Sequence, residues 1–202
     1  MRGRGPDLTH DADPFAGGLP VLDGDRVRLR QPREADVPDL FAVFGDAETL
    51  RYWSHGPLAD LAAARRYYDG IVSGLADRAL FQWAVTAGDD RLVGTVTLVD
   101  WDRANRRAEI GFVLHPSQHG KGLATDAVRT VLAWAFGPMG LHRVEADVEP
   151  PNAPSLRLLE RVGFQREGLF RERWWTRGRW TDSVMLGLLA DDFGASGSDE
   201  PS

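Results

Sequence analysis

Residues 107–129, RAEIGFVLHPSQHGKGLATDAVR, constrain the fold more than any other stretch of the chain. From Arg107 to Leu114 the residues alternate as in a strand. Ala108, Ile110, Phe112 and Leu114 point one way, and Glu109, Gly111 and Val113 the other. A short loop, His115 to His119, follows. Gly120-Lys121-Gly122 then opens a helix whose apolar face is Ala124, Ala127, Val128, Val131, Leu132 and Ala135. A strand, a glycine-bearing turn and a helix start build an anion site in that order. The first helical turn has backbone N–H groups without partners, and the helix dipole favours negative charge there. Glycine lets a phosphate approach the backbone because no Cβ intervenes. The bland alternative is a tight turn whose glycines serve packing alone. A Walker loop is excluded, since His115 holds the position of its first glycine and Gly122 follows Lys121. A dinucleotide fingerprint is excluded as well, since Thr125 holds the position of its third glycine.

Composition narrows the partners. The chain has 202 residues, enough for one domain with a full core. Its net charge of −6 argues against nucleic acid as the main partner, although a local basic patch is compatible with it. With no cysteine there is neither a disulfide framework nor a thiolate nucleophile. No apolar run approaches the ~20 residues of a membrane helix. The N-terminus lacks the apolar region of a signal peptide, so the reading is cytoplasmic. His55, His115 and His119 have no metal-ligand spacing with any paired carboxylate, so no metal is expected.

Residues 1–20 and 191–202 show little periodic apolar pattern and are expected to be disordered tails around a domain at 21–190. Within it, residues 27–31 read as a strand ended by Pro32, and 34–44 as a helix. An aromatic loop at 51–57 leads to a second helix over 61–75. Strands follow at 80–86, 92–101 and 107–114, then the helix from Gly122, stopped by Gly137-Pro138. A strand over 141–149, a helix over 154–162 closed by Gly163, and a hairpin over 164–175 and 180–189 complete the order. Hairpin runs of strands with one crossover helix imply an α/β (α+β) domain. Its central sheet is mixed and mostly antiparallel, with helices on both faces.

Three segments resemble the GNAT (Gcn5-related N-acetyltransferase) family, in its RimJ/RimL-like branch. His119-Gly120-Lys121-Gly122-Leu123-Ala124 is similar to the family's Gln/Arg-x-x-Gly-x-Gly/Ala motif, with His119 departing at the first position and Gln118 one place early. Glu109-Ile110-Gly111-Phe112 resembles a Glu-Ile-Gly-aromatic strand. Asn152-x-x-Ser155 with Leu159-Glu160-x-x-Gly163-Phe164 resembles a third segment. The element order resembles the GNAT fold over nearly the whole domain. The resemblance implies acetyl transfer from acetyl-CoA, as co-substrate, to an amine acceptor: a protein N-terminus or a small molecule. It implies that His119, Gly120, Lys121, Gly122, Leu123, Ala124 and Thr125 hold the pyrophosphate. Phe112, Val113 and Leu114 would pair with the pantetheine, with a backbone N–H near Val113 facing the thioester oxygen.

The residues themselves offer candidate roles for the chemistry. Glu109 is the first choice of general base, because Gly111, next on its face, leaves a gap for substrate. Its rivals are Glu145, Glu149 and Glu172. In the RimL-like branch a hairpin Glu has been proposed as base, and by resemblance the aligned position here is Trp174, two residues from Glu172. Ser155 could donate a proton to the departing sulfur or cap its own helix. Asn152 could bind pantetheine or cap the same helix. Arg166, Arg171, Arg173, Arg177 and Arg179 cluster with Trp174, Trp175 and Trp180, either to grip an acidic acceptor or as an exposed hairpin. A homodimer is compatible with all of this. The competing readings are a non-catalytic acyl-CoA-binding or regulatory protein of the same fold, and a toxin acting on aminoacyl-tRNA, against which the acidic charge counts.

Overall fold

Alternation with period two and the glycine stops place eight strands in one sheet, in the order β1-β2-β3-β4-β5-β6-β8-β7. The structure is a computed structural model that describes residues 13–53 and 55–195. The strands are β1 (Leu22–Asp23), β2 (Arg28–Arg30), β3 (Leu80–Thr86), β4 (Leu92–Asp102), β5 (Arg107–Leu114), β6 (Arg143–Val148), β7 (Gln165–Thr176) and β8 (Arg179–Leu189). The helices are α1 (Val37–Phe44), α2 (Leu61–Ala76), α3 (Leu123–Phe136), α4 (Ala153–Val162) and α5 (Ala190–Ala195). All neighbours are antiparallel except β5 and β6, which α3 connects. A parallel pair needs such a crossover, and the helix supplies it. Among the described residues, no helix is long and apolar enough to cross a membrane.

The two faces carry separate cores. Ala108 and Ile110 of β5, Val144 and Ala146 of β6 and Leu186 of β8 pack with Ala127, Val131 and Leu132 of α3 and Leu159 of α4. On the other face Leu40, Val43 and Phe44 of α1 and Ile71 of α2 pack on Ala84 and Val113. Helices therefore cover both faces, as the mixed sheet requires.

Both domain boundaries differ from the expectation of tails at 1–20 and 191–202. Phe15, 1% exposed, stacks on Phe81 with ring centroids 3.8 Å apart. Asp13 pairs with Arg78 at 2.5 Å, and the Trp83 indole donates to the Pro20 carbonyl at 3.0 Å. At the other end α5 sets Phe193 against Phe136, centroids 5.3 Å apart. These are single aromatic plugs over open ends of the core, and one plug has no period to read. Residues 1–12 and 196–202, the outer parts of the expected tails, lie outside the described residues. The first strand is also shorter than read, and β1 was not expected.

Asp126, in the first turn of α3, pins the entry of the chain to that helix. Its carboxylate accepts the N–H groups of Asp25, Arg26 and Val27 at 3.2, 2.7 and 3.0 Å. Asp126→Ala leaves those donors without their acceptor. It is expected to cost about 1–2 kcal/mol in a urea unfolding titration, the usual range for stranded donors.

Candidate active site

The only parallel pairing among the described residues is short. Arg107, Ala108 and Glu109 of β5 face Arg143, Val144 and Glu145 of β6, and the pairing stops there. Beyond it the strands splay, while the other edge of β5 stays paired to β4 as far as Leu114. The wedge is a cleft of about 850 Å³ lined by Ile110 to Leu114 on one side and Ala146 to Glu149 on the other. The start of α3 and one side of α4 close it. On the cleft side, where pairing with β6 has stopped, the backbone of Phe112 has no strand partner among the described residues, so an extended amide chain laid there would pair with it. The Leu114 carbonyl lies 3.0 Å from His119 Nε2. The His119 side chain thus braces the end of β5.

At one end of the wedge lies the glycine turn. Gly120 and Gly122 have φ of 74° and 77°, a left-handed conformation that costs L side chains strain. Gly122 caps α3 and brings no side chain to its N-terminus. The Asp126 N–H returns to the Gly122 carbonyl at 3.1 Å, whereas those of Leu123, Ala124 and Thr125 have no acceptor among the described residues. Three convergent donors at a positive dipole end fit a pyrophosphate. Lys121 is turned away, its Nζ donating to Gln118 Oε1 at 2.9 Å. Arg157 and Arg161, one turn apart on α4, line the opposite wall; their i, i+4 spacing was a signal that sequence reasoning passed over.

Asn152 and Ser155 resolve into different roles. Asn152 is the cap of α4, its Oδ1 accepting the Ser155 N–H at 3.4 Å. Ser155 does not cap the helix. Its hydroxyl has no hydrogen-bond partner among the described residues, and the residue lines the cleft.

The carboxylates separate sharply. Alternation puts Glu109 of β5 on the same face as Glu145, Asp147 and, past the end of β6, Glu149. Glu145 accepts from Arg107 and Arg143, both at 2.8 Å. Asp147 accepts from Arg173 Nε at 2.8 Å and Trp174 Nε1 at 3.0 Å. Glu149 accepts from Arg177 at 2.5 Å and Arg179 at 3.1 Å. Glu109 forms no hydrogen bond or ion pair with any described residue. Burial, then the charges of Asp147 and Asp100, push its carboxyl up to about 7, with Arg173 opposing. Glu172 lies in a bulge of β7 with φ of 51°, exposed, its N–H donating to Asp182 at 2.8 Å.

Two expectations need correction. The gap beside Gly111 is already partly filled: a Cβ there would stand 2.9 Å from Thr97 Oγ1 and 3.8 Å from the Trp53 ring. The tight neighbour is the Thr97 hydroxyl, which donates to the Gly111 carbonyl at 3.1 Å; Trp53 stands at ordinary contact distance and lines the cleft. Nor are Arg173, Arg177 and Arg179 free hairpin cations, because they are bonded to Asp147 and Glu149. Glu109 itself lies one residue beyond Ile110, where the lining of the cleft begins. Asp147 was missed, although its place between Glu145 and Glu149 in the alternation would have exposed it.

The sequence family described as "Acetyltransferase (GNAT) domain" matches residues 26–165. The Bacillus licheniformis protein called uncharacterized N-acetyltransferase p20 is 34% identical over 179 residues, 87% of this chain and 99% of its own. A spermidine N(1)-acetyltransferase of Escherichia coli strain K12 is 24% identical over 83% of this chain and 88% of its own. Among solved structures, Mycobacterium smegmatis RimJ in complex with CoA-disulfide superposes with a TM-score of 0.79 at 25% identity, covering 88% of this chain and 95% of that one. With a mixed sheet splayed at its one parallel pair and a bare helix N-terminus at the mouth of the splay, the chain belongs to the GNAT family of acetyltransferases.

Proposed function

We propose that this chain transfers the acetyl group of acetyl-CoA to a primary amine of a peptide N-terminus or small molecule, as a RimJ/RimL-like enzyme with Glu109 as base. The observation that carries the reading is the carboxylate face. Of four acids there, three are held by arginines, and Glu109 alone is left able to take a proton near neutral pH. Acetyl-CoA supplies an acyl group activated as a thioester. Glu109 takes one proton from the bound ammonium, directly or through one water, and the neutral amine attacks the carbonyl carbon. The backbone N–H near Val113 holds the developing oxyanion. As the new C–N bond forms and the C–S bond breaks, the nitrogen gives up a second proton. The Ser155 hydroxyl relays that proton to the sulfur. The pyrophosphate is held by the N–H groups of residues 123–125, with Gly120 and Gly122 keeping the approach open.

The test is release of free CoA in a screen of peptide N-termini, polyamines and aminoglycosides. Turnover of at least one class supports transfer. Tight CoA binding with no turnover of any amine would make the chain a binder. Within the reading, Ser155→Ala is expected to lower kcat by about tenfold, less than the ~10²-fold or more usual for a general acid, since a thiolate leaves without full protonation. Single-turnover kinetics with acetyl-CoA prebound measure that loss without a contribution from binding.

A further inference from the structure

The acceptor end of the cleft is walled by Arg51, Tyr52 and Trp53 from the loop after α1, and by Asp147 and Glu149 at the end of β6. An enzyme that takes a polyamine must offer a second ammonium a carboxylate. Here both inner carboxylates are committed. Each side chain is only 10% exposed; Arg177 and Arg179 hold one oxygen each of Glu149, while Arg173 and Trp174 both donate to Oδ2 of Asp147. A second ammonium at Glu149 would have to displace a guanidinium from a partly desolvated pair, and at Asp147 it would have to settle beside the Arg173 guanidinium. Glu48 also lines the cleft and, like Arg51, is exposed, so water and salt screen both.

The cations are not balanced in the same way. Arg177 also donates to the Arg51 carbonyl, so the hairpin tip is tied to the loop and closes this wall. The Arg51 guanidinium has no acid partner among the described residues. It lies over the Tyr52 ring, 5.4 Å from the centroid, which holds the flat group in place while leaving its N–H edges for a ligand. Four guanidiniums therefore stand around Asp147, Glu149 and the exposed Glu48, and the one on the loop has no acid partner among the described residues. Such a site attracts an anion placed a short way from the reacting nitrogen.

From this we infer, on the basis of the acetyl-transfer reading above, that the acceptor is a peptide α-amine with an acidic side chain among its first few residues. Arg51 is the specificity-determining residue, and di- and polyamines are rejected. The chemistry is a carboxylate set against a planar guanidinium, beside an amine that reaches toward Glu109.

Initial rates of CoA release decide it with three acceptors: a hexapeptide with Glu at its second and third positions, the same peptide with Lys there, and spermidine. The acidic peptide should exceed the other two in kcat/KM by roughly tenfold or more, the worth of one good charge contact near 1.4 kcal/mol. The advantage should shrink as salt rises. Arg51→Ala should remove it through a higher KM for the acidic peptide alone, and Arg51→Lys should restore part of it. Arg173→Gln, which uncovers Asp147, should raise the rate on spermidine. Spermidine or the lysine peptide used as well as the acidic peptide would overturn the inference and leave acetyl transfer standing. Silence from all three with turnover of another amine in the wider screen would overturn the inference and leave acetyl transfer standing; silence across the whole screen with acetyl-CoA bound would overturn both.

Discussion

Glu109→Gln is expected to bind acetyl-CoA as tightly as the parent protein and to turn over ~10²-fold or more slowly at pH 7, the usual size of a general-base effect. A primary amine with a pKa near ~8 to 10 is mostly protonated at pH 7 and cannot attack until it loses that proton. In the parent, kcat/KM should rise with pH through about 7, where Glu109 ionises. The deficit of the variant should narrow at high pH, because the solution then supplies neutral amine. The same shift gives a stability test of opposite sense. A carboxyl raised in the folded state stabilises the fold while it is protonated, at pH values below its unfolded pKa. That stability is lost as pH rises through about 7. Glu109→Gln, which never ionises, should therefore melt like the parent at pH 5 and above it at pH 8. Glu172→Gln is the control, and its carboxylate is exposed in the β7 bulge. If that variant loses turnover and the Glu109 variant does not, the base is on the hairpin.

Gly122→Glu is expected to abolish acetyl-CoA binding in a calorimetric titration while the domain stays folded. The substitution acts twice at one place. It brings a carboxylate to three free N–H groups that should meet phosphate, and those donors then serve the new side chain. It also forces a φ of 77° on a residue with a Cβ, at a cost of about 1–2 kcal/mol. Space is not the obstacle to folding, since that Cβ would meet the Arg26 guanidinium at an ordinary 3.6 Å. Gly122→Ala separates the two effects. It carries the backbone strain without the charge, so it should weaken binding far less. Equal affinity of Gly122→Glu and the parent would remove the pyrophosphate from this turn.

The fold was legible wherever periodicity was. β5, the glycine turn and α3 emerge from alternation and helical spacing almost to the residue, and so do β3 and the hairpin. Phe15 was not legible, because a lone aromatic that stacks on Phe81 across 66 residues has no local pattern. The site divides in the same way. The anion turn is local, so its sequence carries it whole. The choice among carboxylates is not local. Arg107 reaches Glu145 from β5, and Arg173, Arg177 and Arg179 reach Asp147 and Glu149 from the β7–β8 hairpin, so only the assembled sheet exempts Glu109. The space beside Gly111 was misread for the same reason, since the Thr97 hydroxyl takes it from the neighbouring strand β4, with Trp53 in contact from a loop 58 residues away.

Among the described residues, three residue pairs and the His142 and Arg143 N–H groups on the Arg106 carbonyl are the backbone bonding that joins the five-stranded half of the sheet, β1 to β5, to the three-stranded half, β6, β8 and β7. The halves are otherwise joined through side chains and α3. A ligand that pairs with the inner edge of β5 is then a missing length of sheet, and fastening it should stiffen the seam. Amide exchange across residues 110–114 and 146–149 should slow when CoA is bound, and melting should rise with CoA concentration. The seam also imposes a sequence of events. The acceptor wall at Asp147 and Glu149 stands on the half that the ligand secures, so CoA entering first gives the amine a settled surface to meet.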